Sequence, residues 1–165
     1  MSQHLHYIID GYNYILRLFH IDFSHEHALW DAREKLIHQM IAYLGQKKLH
    51  ITIVFDGQDI RGFAKKARPA GIKVRFSKAP QKADPLIINL VQKSKTPRNM
   101  TVVTSDKSLA DVCKSYGCST LSVESFSNKL AAEHQRVELS KKYDVNMTSK
   151  EVEEWMQLFE KGDKN

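Results

Sequence analysis

Residues 8–14 read IIDGYNY: two isoleucines, then an aspartate, a glycine and an asparagine set between two tyrosines. With Leu5 before them, the isoleucines form a short apolar run suited to a buried strand, and the acid stands where that strand hands over. In open parallel sheets, loops converge and helix amides point inward at the carboxyl ends of the strands, so an acid there is a candidate ligand. One such aspartate is equally well a turn former or a helix cap. Gly11 allows a backbone conformation that other residues resist, and Asn13 can reach back as an amide donor.

The pattern recurs along the chain. HITIVFD (50–56), rich in β-branched residues, ends on Asp56, and MTVVT (100–104) leads through VVTSD to Asp106. GIKVRFS (71–77) alternates and suits a strand nearer the sheet edge, and STLSV (119–123) supplies one more. Between these runs the apolar spacing predicts helices over 24–48, 84–95, 107–116 and 124–135. The third strand is followed by Asp84-Pro85, with the aspartate expected to cap and the proline to take the first helical position. Strands alternating with helices predict an α/β protein with a mostly parallel sheet covered on both faces. Asp10, Asp56, Asp84 and Asp106 are then expected on one rim.

The 165 residues suffice for one compact domain, and 42% hydrophobic with 27% charged residues is ordinary for a globular protein. The expected division is a domain over 1–135 and an extension over 136–165. In the extension, Thr148 and Glu151 have capping-box spacing and Val152, Trp155, Met156 and Phe159 share a face. That helix reads as docked on the domain or as binding a partner. No run approaches the roughly 20 apolar residues of a membrane helix, and the N-terminus lacks a signal-peptide pattern, so a cytoplasmic protein is expected. Cys113 and Cys118 read as reduced thiols rather than a zinc pair.

The formal net charge is +6, and its distribution says more than its total. Between Ile60 and Ala83 lie Arg61, Lys65, Lys66, Arg68, Lys73, Arg75, Lys78 and Lys82, with no acid among them. That run fits a nucleic-acid backbone or a solvated loop. Converging carboxylates repel one another by about 1 kcal/mol or more per close pair, so a cation normally occupies their centre. Oxygen ligands without a matching cysteine or histidine set favour one or two Mg²⁺ or Mn²⁺ ions over zinc. The pairs His4/His6 and His25/His27 read as ligands or as surface polarity. An acidic rim beside a basic segment suggests phosphodiester chemistry, with Tyr12, Tyr14 or Phe63 available to stack an unpaired base.

DGYN (10–13), VFDG (54–57), GIKVRFS leading to ADPLI (83–87), and VVTSD (102–106) together resemble the YacP-like branch of the NYN domains, within the PIN-like nuclease superfamily. The match runs over about residues 5–130. The resemblance implies a three-layer α/β/α fold and a metal-dependent endoribonuclease acting on single-stranded RNA. It implies that Asp10, Asp56, Asp84 and Asp106 are the acidic positions, that Asn13 orients Asp10 or the scissile phosphate, and that Thr104 or Ser105 positions the last acid. It also implies a role on messenger RNA and a link to the ribosome. One departure stands out: where relatives carry further acids, this chain has Pro85, Ile87 and Ile88.

Two other readings remain open. An RNA- or ribosome-binding protein of this fold with little or no turnover would use the basic segment for affinity. A phosphohydrolase of the aspartate-nucleophile type would need a DxD pair on the first strand, and position 12 is Tyr12. Oligomeric state and RNA sequence preference are not encoded in these motifs.

Overall fold

A computed structural model describes residues 4–45, 47–78 and 82–144; the expected C-terminal helix at 148–161 lies outside the described residues. The chain divides into two units, residues 1–128 and 129–165. The first carries the sheet. Of the second, the described part is the later course of one helix, with exposed ion pairs such as Arg136 to Glu133 at 2.9 Å.

Five strands, β1 (Leu5–Asp10), β2 (Leu49–Phe55), β3 (Ile72–Phe76), β4 (Met100–Val103) and β5 (Ser119–Leu121), pair in parallel in the order β3-β2-β1-β4-β5. The chain steps outward from β1 to β3 and then returns to the other side of β1 as β4. The order therefore reverses between β1 and β4, the place at the strands' carboxyl ends where open α/β sheets form a ligand crevice. Asp10 ends one wall of it, and the segment after Val103 ends the other.

Helices α1 (Gly11–Leu18), α2 (Ala28–Leu44), α3 (Ala83–Gln92), α4 (Lys107–Ser115) and α5 (Val123–Asp144) complete the expected α/β/α sandwich. On one face Ile8, Val54 and Val102 pack with Ile87 and Val91 of α3 and Leu109 and Cys113 of α4. On the other, Tyr7, Tyr43 and Phe126 form an aromatic triangle with ring centroids 5.2–6.0 Å apart. Cys113 and Cys118 are free and buried, with the Cys118 thiol donating to the Cys113 carbonyl at 3.1 Å. No helix among the described residues is long and apolar enough to cross a membrane.

Several boundaries differ from the sequence expectation. Helix α1 begins directly on β1, where periodicity gave a turn; its eight residues are too few to declare a helical period. Helix α2 is shorter than 24–48, and α5 runs past Gln135. Asp84 does not cap α3: the helix starts one residue earlier, with Lys82 at the cap position and Asp84 inside the first turn. A 3-10 helix, Ile60–Lys65, interrupts the basic segment.

Gly11 is required for space rather than for an unusual backbone angle. A Cβ there would lie 2.5 Å from the Phe55 ring and 2.9 Å from the Val54 carbonyl oxygen. Phe55 is fully buried and cannot step aside cheaply. Gly11→Ala gains up to about 1 kcal/mol of helix propensity and costs about 1–3 kcal/mol of overpacking. The variant is therefore expected to unfold at a lower denaturant midpoint than the wild type, and a higher midpoint would show that the Phe55 ring yields.

Candidate metal centre

Asp10, at the end of β1, is buried with 8% of its surface exposed. Its Oδ2 accepts from the Thr104 hydroxyl at 2.9 Å, and the Asn13 backbone amide also donates to the carboxylate. Burial pushes the Asp10 carboxyl up to about 6; the charges of Asp84 and Asp106 add to the rise, and the Thr104 and Asn13 hydrogen bonds oppose it. Thr104, itself buried, also accepts from the Asp106 backbone amide at 3.1 Å. One hydroxyl thus links the first acid to the last across the β1/β4 crevice.

Asp106 caps α4, its Oδ1 accepting from the Leu109 amide at 3.0 Å. The cap engages only part of a carboxylate that can accept several hydrogen bonds. Asp56 follows β2, is exposed, and accepts from the Ser77 hydroxyl at 2.9 Å. Ser77 is buried and its hydroxyl accepts from the Gly57 amide at 3.1 Å, so the end of β3 orients the end of β2. Asp84 is held above its ordinary carboxyl value first by burial, then by the charges of Asp106 and Asp56; Lys82 pulls the other way. Each acid is therefore within electrostatic range of at least one other: Asp10 of Asp84 and Asp106, and Asp84 of Asp106 and Asp56.

Among the described residues, no three His, Cys, Asp or Glu side chains are gathered so as to hold one ion by themselves. This bears on which metal the donors fit. Zinc takes a closed set of three or four protein ligands, whereas Mg²⁺ keeps several waters and is held through one or two carboxylates. Hard oxygen donors that repel one another, with one carboxyl desolvated, fit the second kind of ion. Pro85 is exposed in the first turn of α3, whereas Ile87 is fully buried in the core. The latter position belongs to packing.

Asn13 does not reach back to Asp10 with its side chain. Its Oδ1 accepts from the Ser105 amide at 2.8 Å, tying α1 to the segment after β4. Ser105 in turn donates its hydroxyl to Glu124 Oε2 at 2.7 Å and accepts from the Val123 amide at 3.0 Å. Glu124, on α5, also accepts from Arg17 Nε at 2.5 Å, and the Ser105 hydrogen bond leads the causes that hold its carboxyl down at about 2. In the sequence Glu124 reads only as a helix start. Its one signal is an acid in a helix's first turn, which is common.

Tyr12 is half-buried against Phe55, ring centroids 5.2 Å apart, and its hydroxyl accepts from Arg33. The Arg33 guanidinium lies 5.3–5.8 Å from the rings of Tyr12, Phe55, Phe63 and Phe76. Phe63 is fully buried in this cluster, 4.7 Å from Trp30, and Tyr14 is buried in the core. Neither presents a face to a base, which corrects two of the three stacking candidates.

The basic residues separate into two groups. Lys65, Lys73, Arg75, Lys78 and Lys82 are exposed. Lys66 pairs with Glu34, and Arg68 donates to the carbonyls of Phe63, Ala64 and Lys66, which ends the 3-10 helix. The Arg61 side chain lies outside the described part.

The crystal structure of Rae1 (YacP) from Bacillus subtilis resembles the chain at 24% identity over 95% of each chain, with a TM-score of 0.66. A tryptophan-to-leucine mutant of that protein aligns at 22% identity over 87% of this chain and 84% of the other, with a TM-score of 0.68. These likenesses concern the fold. No curated protein matches the sequence. The family model described as the YacP-like NYN domain matches residues 7–161, almost the whole chain, and the chain therefore belongs to this family of nuclease-like domains.

Proposed function

We propose that the protein is a divalent-metal-dependent endoribonuclease that cuts single-stranded RNA and leaves 5′-phosphate and 3′-hydroxyl ends. The observation that carries this reading is Asp10, a buried carboxyl raised to about 6 under the charges of two neighbouring acids. Such a cluster is relieved by a cation, and its place at the strand-order reversal is where α/β proteins bind ligands. Asp10, Asp56, Asp84 and Asp106 are the carboxylates that would hold the ion, one or two of them directly and the others through its waters. A bound Mg²⁺ or Mn²⁺ supplies charge neutralisation at the phosphate and a lower water pKa.

Thr104 and Ser77 fix Asp10 and Asp56 in place, while Asn13 and Ser105 fix the crevice walls relative to each other. The exposed lysines and Arg75 hold flanking phosphates, and Tyr12 offers the one remaining ring for an unpaired base. Pro85 and Ile87 favour one well-held ion over two. Messenger RNA, presented on the ribosome or free, is the substrate that the family resemblance suggests. A second reading is RNA binding with little turnover, which the exposed Lys73, Arg75, Lys78 and Lys82 would serve without a metal.

Cleavage of single-stranded RNA with Mg²⁺ decides between them. Asp10→Asn and Asp106→Asn are each expected to lower the rate by about a hundredfold or more, and chelation to abolish it. Asparagine still caps α4, so the second variant keeps its fold. Equal cleavage by all three proteins would sink the enzyme reading.

Thr104→Val removes the hydroxyl shared by two acids and is expected to weaken Mn²⁺ affinity by about 10–100-fold, as loss of a ligand's outer partner does. Unchanged Mn²⁺ titration would remove Thr104 from the site.

In metal-free protein, the Asp10 carboxyl titrates higher when folded than its unfolded value of about 3.9. The stability it contributes is fully present below that value and is lost as pH rises through about 6. Asp10→Asn carries no such loss. The stability difference in favour of the variant should grow between about pH 4 and 7 towards 1–3 kcal/mol, on the order of 1.4 kcal/mol for each pH unit by which folding raises the carboxyl. A difference independent of pH in chelator would show that Asp10 is not desolvated.

A further inference from the structure

On parallel strands, residues in register project to the same face, and here one face of β1, β2 and β3 reads as a charge gradient. His6 pairs with His50, Thr52 with Lys73 and Val54 with Arg75. At the carboxyl ends this face carries Asp10 and Asp56, and beneath α3 it carries Ile8 and Val54. At the opposite ends and along the sheet edge it carries His4, His6, His50, Lys73 and Arg75.

These side chains crowd one another. The His50 ring lies 5.7 Å from His4 and 6.3 Å from His6, and His6 Nε2 shares a 2.8 Å hydrogen bond with the Thr52 hydroxyl. Burial first, and then the neighbouring His50, Lys73 and Arg75, hold the His6 imidazole below its ordinary value. Four of the five are exposed, so the group faces solvent rather than filling a core. The exposed Lys73 and Arg75, with the ring N–H groups of His4 and His50 beside them, form a row of donors suited to an extended anion.

We propose that this row is a phosphate track for single-stranded RNA, running down β3 from the acidic rim to the histidines at the start of the strands. The inference rests on the RNA reading of the rim and adds a second, remote point of attachment to it. Four residues separate His6 from Asp10 on β1, roughly 13 Å at strand spacing, so a chain engaging both ends must be several nucleotides long. Lys78 and Lys82 lie on the rim side of the same edge and lead from Arg75 towards Asp84, which Lys82 already influences. Affinity should then depend on RNA length, whereas bond cleavage needs only the rim.

The test is binding of labelled RNA in chelator, with oligonucleotides of about 4 and 16 nucleotides, the range over which single-strand grooves bind. Wild type should bind the longer RNA much more tightly than the shorter. Lys73→Gln/Arg75→Gln should erase most of that gain and make the salt slope less negative by about 1.4, at roughly 0.7 for each phosphate no longer engaged. His4→Gln/His50→Gln, at exposed positions, should weaken the longer RNA by roughly fivefold. The proposal is overturned by unchanged affinity and slope in both double variants, or by a wild type that binds no RNA. Self-association of the Lys73/Arg75 variant with RNA binding intact would assign those charges to guarding the sheet edge instead. Displacement of RNA by polyglutamate at equal charge would assign the row to an acidic protein. Because no cleavage is read, failure here leaves the rim's own test standing.

Discussion

The hydroxyl of Thr104 is the junction on which the rim depends. It donates to a carboxylate on one strand and accepts from the amide of the residue that carries another. Hydrogen bonds contribute about 1 kcal/mol each, no more than the repulsion of about 1 kcal/mol or more between each close pair of carboxylates. The junction therefore orients the acids without being able to hold them together. That task falls to the β1/β4 ladder and to Ile8 and Val102, both fully buried beneath it. The strain of the site is carried by the core.

The acids are legible in the sequence because each closes a local pattern, an apolar run that stops at a carboxylate. The sheet is legible for the same reason. The groups that steer the acids stay hidden because their partners lie far along the chain. Ser105 and Asn13 are 92 residues apart, Arg17 and Glu124 are 107, and no local spacing encodes such pairs. Ser77 is visible only as the last letter of a strand, although it fixes Asp56. Gly11 reads as a residue chosen for its backbone freedom, yet its role is to make room for an aromatic ring that sits 44 residues later.

Charge on the helices is often spent in exposed ion pairs such as Lys114 with Asp111, whereas Lys73 and Arg75 stand exposed on the edge strand. Lys66 and Arg68 show why a count of basic residues misleads: one is paired and the other is engaged with backbone carbonyls. In register Arg75 stands level with Asp10 and Lys73 level with Ile8, two strands away on the sheet edge, while Lys82 acts directly on Asp84. A substrate that is negative along its whole length would be drawn to the edge strand and tolerated beside the acids only with a cation present.

The same alternation disciplines folding. A slip of one residue in the pairing of β1 would turn Asp10 and His6 towards the side now filled by Tyr43, Phe55 and Phe126, and would bring Tyr7 and Ile9 round to the charged side. Burying an uncompensated carboxylate there costs several kcal/mol, far more than misplacing a methylene. The polar residues thus act as proofreaders of strand alignment: a chain that misaligns β1 loses the Thr104 hydroxyl that serves Asp10 and the Thr52 hydroxyl beside His6.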